Sequence, residues 1–275
     1  MMKRLLTGVA LCGCISIFAI ATAVPSHAGD EDSPAARQGR WRDLESTLFG
    51  KKLATPDPSI ISLDAPYRAA DASLVPITIT LDQTKPIKGL YLVIDDNPSP
   101  LAAHYTFGPA AYAHVIRMRV RVNDYTNIHA VAEMQDGRLV EATKFVKAAG
   151  GCSAPMGMSD QEAMKGMGDM RMKFAKDAVI GKPLEATLMV RHPNFNGMQM
   201  NQLTRNYTPA RYIKTIEVKD GSKVILTLAA DISLSSNPVI SFEMIPQSAS
   251  PVNVAVDDSD HGHWEQSFTV PVATN

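Results

Sequence analysis

Apolar and polar residues alternate in short runs along most of the chain. The clearest run is Val115-Ile116-Arg117-Met118-Arg119-Val120-Arg121-Val122, where apolar residues from Ile116 onward alternate with arginines. That period of two belongs to a strand with one face on a core and the other in water. Similar runs predict strands over residues 74–81, 89–94, 114–122, 128–134 and 139–146. A second series falls over 184–191, 212–218, 223–228, 239–244, 252–256 and 265–270. Asp136-Gly137 and Asp220-Gly221 each separate two such runs and mark hairpin turns. One stretch has a different period. In residues 35–50, Trp41, Leu44 and Leu48 share a helical face and Gly50 supplies a stop. The pattern predicts an all-β protein: two tandem immunoglobulin-like antiparallel β-sandwiches, a Gly/Met-rich linker between them and a short N-terminal helix.

The linker is placed at residues 148–172, between a sandwich over 56–147 and a second over 173–275, with a helical segment over 29–55. It begins Ala148-Ala149-Gly150-Gly151-Cys152-Ser153-Ala154-Pro155 and holds six of the chain's 14 methionines. Ser159-Asp160-Gln161-Glu162 has the form of a capping box, which predicts a short helix there. Residues 1–28 have the parts of a cleavable signal peptide. Lys3 and Arg4 give a positive start, an apolar run follows, and Ser26-His27-Ala28 offers a small-x-small cleavage site. The expected location is therefore the periplasm. Beyond that segment no run approaches the roughly 20 apolar residues of a membrane-spanning helix, so no stable membrane insertion is expected.

Charge narrows the partners. Residues 29–275 carry 25 basic and 28 acidic side chains. That balance offers nothing to attract nucleic acid or an anionic membrane.

Of three cysteines, Cys12 and Cys14 fall in the export segment, which leaves Cys152 without an internal partner. Its small neighbours offer little to bury it, and Gly150 and Gly151 give the arm flexibility. The expectation is an exposed thiol of ordinary pKa, near 8.5, shown to partner proteins and able to link two copies by a disulfide. Two other readings compete. Cys152 with Met156 and Met158 forms a soft donor set of the kind that selects Cu(I), which would make the chain a copper-binding or copper-delivery protein. Alternatively the chain is an adaptor whose linker is incidental. Asp257 to His263 reads as a solvated hairpin tip, and His104, His114 and His129 lack ligand spacing. No nucleophile triad, phosphate loop or paired carboxylates argue for an enzyme, and no resident cofactor is expected.

Three further segments carry a resemblance: His192-Pro193-Asn194-Phe195-Asn196-Gly197, Tyr207-Thr208-Pro209-Ala210-Arg211-Tyr212-Ile213 and Ser236-Asn237-Pro238-Val239-Ile240-Ser241-Phe242. In this order, behind a sandwich ending in Gly150-Gly151-Cys152, they resemble the SoxYZ sulfur-carrier family with both subunits fused. In particular they resemble the SoxYZ-like carriers associated with quinoprotein dehydrogenases. The resemblance implies that Cys152 holds a sulfur-oxidation intermediate covalently and takes it to periplasmic sulfur-oxidation enzymes or a quinoprotein dehydrogenase system. Two departures stand out. Ser153-Ala154-Pro155 replaces the glycines that come after the family's cysteine, and the arm continues into the second half instead of ending free. A doubled arm of about 25 residues would reach at most about 40 Å from its anchors.

Overall fold

The computed structural model describes residues 33–273 other than 156, 202 and 203. The expected signal peptide and Met156 lie outside the described residues. Helix α1 runs Pro34–Phe49. The Ser33 hydroxyl accepts from the Ala36 N–H, and Pro34 occupies the first turn, where it has no intrahelical bond to lose. Gly50, at φ 66°, ends the helix and donates its N–H to Ser46 O.

The first half continues with β1 (Ala54–Pro56), β2 (Ile61–Asp64), β3 (Val75–Leu81) and β4 (Ile87–Ile94). Strands β5 (Leu101–Phe107), β6 (Val115–Val120), β7 (Thr126–Met134) and β8 (Leu139–Val146) complete it. After the short helix α2 (Asp160–Met164) come β9 (Met170–Phe174), β10 (Leu184–Val190) and β11 (Ile213–Asp220). The chain closes with β12 (Lys223–Ala230), β13 (Val239–Met244), β14 (Val252–Asp258) and β15 (His263–Phe268).

These strands form two sheets, and both sheets cross from one half of the chain to the other. The larger has the order β1-β8-β7-β4-β5-β12-β11-β14-β15, the smaller β2-β3-β6-β13-β10-β9. The join in the larger sheet is β5 against β12, antiparallel, with Leu226 opposite Phe107 and Ala230 opposite Ala103. In the smaller it is β6 against β13, where Ser241 pairs with Arg117. One apolar core fills the space between the sheets, from Ile77, Ile79 and Met118 to Ile240, Phe242 and Val254. The halves are all-β and sandwich-like, as the alternation predicted. They pair edge to edge, which covers strand edges that would otherwise template aggregation.

Helix α1 lies on the outer face of the larger sheet. Trp41 packs with Val93, Val131 and Leu139, and Leu44 and Leu48 lie beside them. The Trp41 ring stacks on His129 at 3.7 Å between centroids. His129 is itself buried between Glu141, at 3.0 Å, and Asp95, at 3.3 Å. Replacing Trp41 by Ala is expected to cost about 3–5 kcal/mol, because it opens a large cavity and uncovers the buried His129 ring. Urea unfolding of the variant measures this, and a loss under about 1 kcal/mol would mean α1 is only loosely held.

Four strands were not legible as such. Strands β1 and β2 are too short to show a period. In β5 the run Leu-Ala-Ala-His-Tyr-Thr-Phe does not alternate. Strand β9 lies inside the segment read as linker; it pairs with β10 and closes one edge of the smaller sheet.

Candidate functional site

Where the two halves meet, the arm that carries Cys152 folds back onto the body. From β8 the chain reaches Gly150, whose N–H donates to Asn123 O at 2.8 Å, and Gly151, whose N–H donates to Val122 O at 3.1 Å. Gly150 turns the chain at φ 72°. Gly151 is required for a different reason. A Cβ there would stand 2.1 Å from Ala72 O and 2.5 Å from Val122 O, both fixed backbone atoms. The glycines therefore seat the arm against the first half.

The second half closes over it. Asn196 Nδ2 donates to Cys152 O at 2.6 Å, and Gln199 Nε2 donates to Ala154 O at 3.3 Å. Further along, the Thr208 hydroxyl donates to the Asp160 carboxylate at 3.1 Å, at the start of α2. Helix α2 begins with the predicted capping box, Ser159 and Glu162 bonding each other's backbone N–H.

The clasping loop, residues 192–200, is held rigid from behind. His192 is fully buried; its Nδ1 accepts from the Asn194 N–H at 3.0 Å, so the proton sits on Nε2, facing Asp258 at 3.4 Å. Burial holds His192 below its usual pKa, against the pull of Asp258, so it is neutral near pH 7. Asp258 also accepts from Arg211 Nε at 2.7 Å and from the Gly262 N–H at 2.7 Å. Burial alone would raise its pKa, but these bonds outweigh it and hold the carboxyl low. Asn194, at φ 45°, donates to Ser235 O and accepts from the Ile213 N–H. His192 thus orders the loop and does not itself reach the arm.

This arrangement corrects the expectation of an exposed thiol. Cys152 is 0 % exposed, and burial pushes its pKa up to about 11, with only the Arg121 charge acting against that. The small neighbours cannot bury a thiol by themselves; residues distant in sequence do it. A thiol with no exposed surface cannot meet the thiol of a second copy while the arm is seated, so a disulfide-linked dimer requires the arm to open. The loose reach of about 40 Å is likewise not what is observed, since the arm is bonded to both halves. Of the proposed copper donors, Met158 is 52 % exposed while Cys152 is buried, and Met156 lies outside the described residues.

Arg121 was missed as a site residue. The alternation places it on the wet face with Arg117 and Arg119, yet it is 1 % exposed, because β6 ends at Val120 and the second half covers the chain beyond that point. The Asp257 to His263 segment is the β14–β15 hairpin, with Asp258 committed to His192 and Arg211. His104 stacks on Tyr91, and His114 pairs with Glu243. Among the described residues no group of three or more His, Cys, Asp and Glu is placed to hold a metal, and no helix is long and apolar enough to cross a membrane.

Comparison with known proteins bears on this junction. Residues 45–152 match the family model of the sulfur oxidation protein SoxY, and residues 171–269 match that of the sulphur oxidation protein SoxZ. The first match ends on Cys152. Among solved structures the chain is similar to the sulfur carrier protein SoxY from Chlorobium limicola f thiosulfatophilum. Identity is 22 %, covering 42 % of this chain and 96 % of that one, at a TM-score of 0.36. It is also similar to a tetra-tandem repeat from the extending region of a large adhesion protein. There identity is 11 %, covering 78 % of this chain and 49 % of that one, at a TM-score of 0.24. No curated protein matches. Both structural likenesses are weak, and the family models span most of the chain: it belongs to the SoxY and SoxZ sulfur-oxidation proteins, with one domain of each joined in tandem.

Proposed function

We propose that this chain is a periplasmic carrier that holds an intermediate of sulfur oxidation covalently on Cys152 and presents it to partner enzymes. The observation that carries the reading is the position of Cys152. It ends the SoxY match, on an arm seated by two glycine N–H bonds and clasped by two side-chain amides of the SoxZ half. A few hydrogen bonds of about 1 kcal/mol each make a contact that opens without unfolding either domain. The seated arm shields the thiol, and the open arm delivers it.

Conjugation forms an S–S bond between the Cys152 sulfur and the sulfane sulfur of the intermediate. With a donor already at the disulfide level, the thiolate displaces a sulfur leaving group and no oxidant is needed. With a reduced donor such as thiosulfate, two electrons must pass to the loading enzyme. Burial keeps the resting thiol protonated, so the visited enzyme activates it once the arm is open. The resemblance to quinoprotein-associated carriers suggests which enzymes these are, and export through residues 1–28 would place them in the same compartment.

Mass spectrometry of the protein purified natively without reductant tests the reading. The Cys152 peptide is expected to carry added sulfur or a sulfonate-bearing sulfur that a thiol removes, and Cys152→Ala is expected to lose it. A clean free thiol after growth on reduced sulfur compounds would overturn the proposal.

A further inference from the structure

A buried arginine shares the arm's seat. Arg121 directly precedes Val122, whose carbonyl receives the Gly151 N–H, and its own Nη2 donates to Asn194 O at 3.1 Å. Two residues further along the same loop, Asn196 grips Cys152 O. Arg121 and Cys152 therefore flank one contact and are covered by one loop.

The guanidinium is poorly matched where it sits. Among the described residues its hydrogen bond is to a backbone carbonyl, its Nε has no acceptor, and Asp71 acts on it only through its charge. The backbone around it is firmly placed: Arg121 N–H donates to Ser233 O, and Asn97 Nδ2 donates to Arg121 O and Ser233 Oγ. A buried cation with no carboxylate partner is costly to keep unless an anion completes it. Its planar donors suit the oxygens of a sulfonate, which arginine binds through paired N–H groups.

We propose that Arg121 is the anion-recognising residue of the carrier site, holding the negatively charged end of a Cys152-bound conjugate and so selecting anionic sulfur intermediates over neutral ones. This deepens the carrier reading and rests on it for its biological meaning. The arm loosens its clasp enough to admit the added group, and the guanidinium draws the charged end back toward the seat.

The test uses two conjugates made on the full chain. With tetrathionate, the Cys152 thiolate attacks one of the two central sulfurs; the bond between those two sulfurs breaks, thiosulfate leaves, and Cys152–S–S–SO3⁻ remains, the first sulfur being that of the cysteine. With methyl methanethiosulfonate, the thiolate displaces methanesulfinate and leaves the neutral Cys152–S–S–CH3. Release by a neutral thiol is timed for each, relative to the same conjugate on the urea-unfolded chain. Folding is expected to slow release of the anionic conjugate about 10-fold or more beyond the neutral one, the worth of a charge-assisted hydrogen bond. Arg121→Gln is expected to abolish that excess, and Arg121→Lys to keep part of it. Equal protection of both conjugates in the wild-type protein would overturn the proposal, even if Arg121→Gln does not fold. An equal loss for both in Arg121→Gln would also overturn it, reducing Arg121 to a structural role. Both outcomes are independent of whether a native conjugate is found on Cys152.

Discussion

Replacing Gly151 by Ala is expected to expose the Cys152 thiol while leaving both domains folded. The new methyl would lie 2.1 Å from Ala72 O and 2.5 Å from Val122 O, closer than any Cβ tolerates, and both carbonyls belong to the body of the first half. The Val122 N–H also donates to Ala72 O, which ties that carbonyl to the segment it faces. The arm yields instead, since two backbone bonds and two side-chain amides hold it. The rate at which the thiol reacts with a small disulfide reagent should rise about 100-fold or more, equivalent to about 2.8 kcal/mol of local opening free energy. Gly150→Ala provides the internal comparison. There the methyl has room, 3.6 Å from Ser153 Oγ, and the cost is that of a left-handed φ of 72°, about 1–2 kcal/mol. Its effect should be correspondingly smaller. A Gly151→Ala protein whose thiol reacts at the wild-type rate would show that the arm is not seated by this contact.

The second large effect is on pH dependence. Burial, partly offset by Arg121, pushes the seated thiol up to about 11, whereas an open arm exposes a thiol titrating near 8.5. The seated state binds the proton more tightly, so its advantage is fully present below about pH 8.5 and is lost as pH rises toward 11. A gap of about 2.5 pH units is worth about 3.4 kcal/mol, or roughly 300-fold in the opening equilibrium. The alkylation rate of the wild-type protein should therefore keep climbing tenfold per pH unit past 8.5 and level off only on approach to 11. The Gly151→Ala protein should level off near 8.5. A wild-type profile that levels off at the same pH as the variant would mean the seat imposes no proton linkage.

Much of this architecture is local and so was legible in residue order. Alternation places inward side chains two apart, which is why β3, β6, β10 and β13 read nearly to their ends. Asp136-Gly137 and Asp220-Gly221 supply the positive φ that their turns adopt, 83° at Gly137 and 58° at Gly221. Trp41, Leu44 and Leu48 mark the buried face of α1, and Ser159 with Glu162 caps α2. Strand β5 escaped because Ala102 and Ala103, adjacent and both buried, break the period of two. Strand β9 escaped for a different reason: its methionines merged with those of the linker.

Residue order alone specifies the β class, the helix and hairpin signals, the lone cysteine and the glycines beside it, because each depends on residues near one another in the chain. What that cysteine experiences is set by the packing of the folded chain. Ala72, Arg121, Val122, Asn196 and Gln199 come from distant parts of the chain, and nothing in the run from Ala148 to Pro155 specifies them. The same distinction separates Arg121 from Arg117 and Arg119. All three obey one alternation, but the second half buries the third alone, and whether a side chain is in water depends on everything that packs on it.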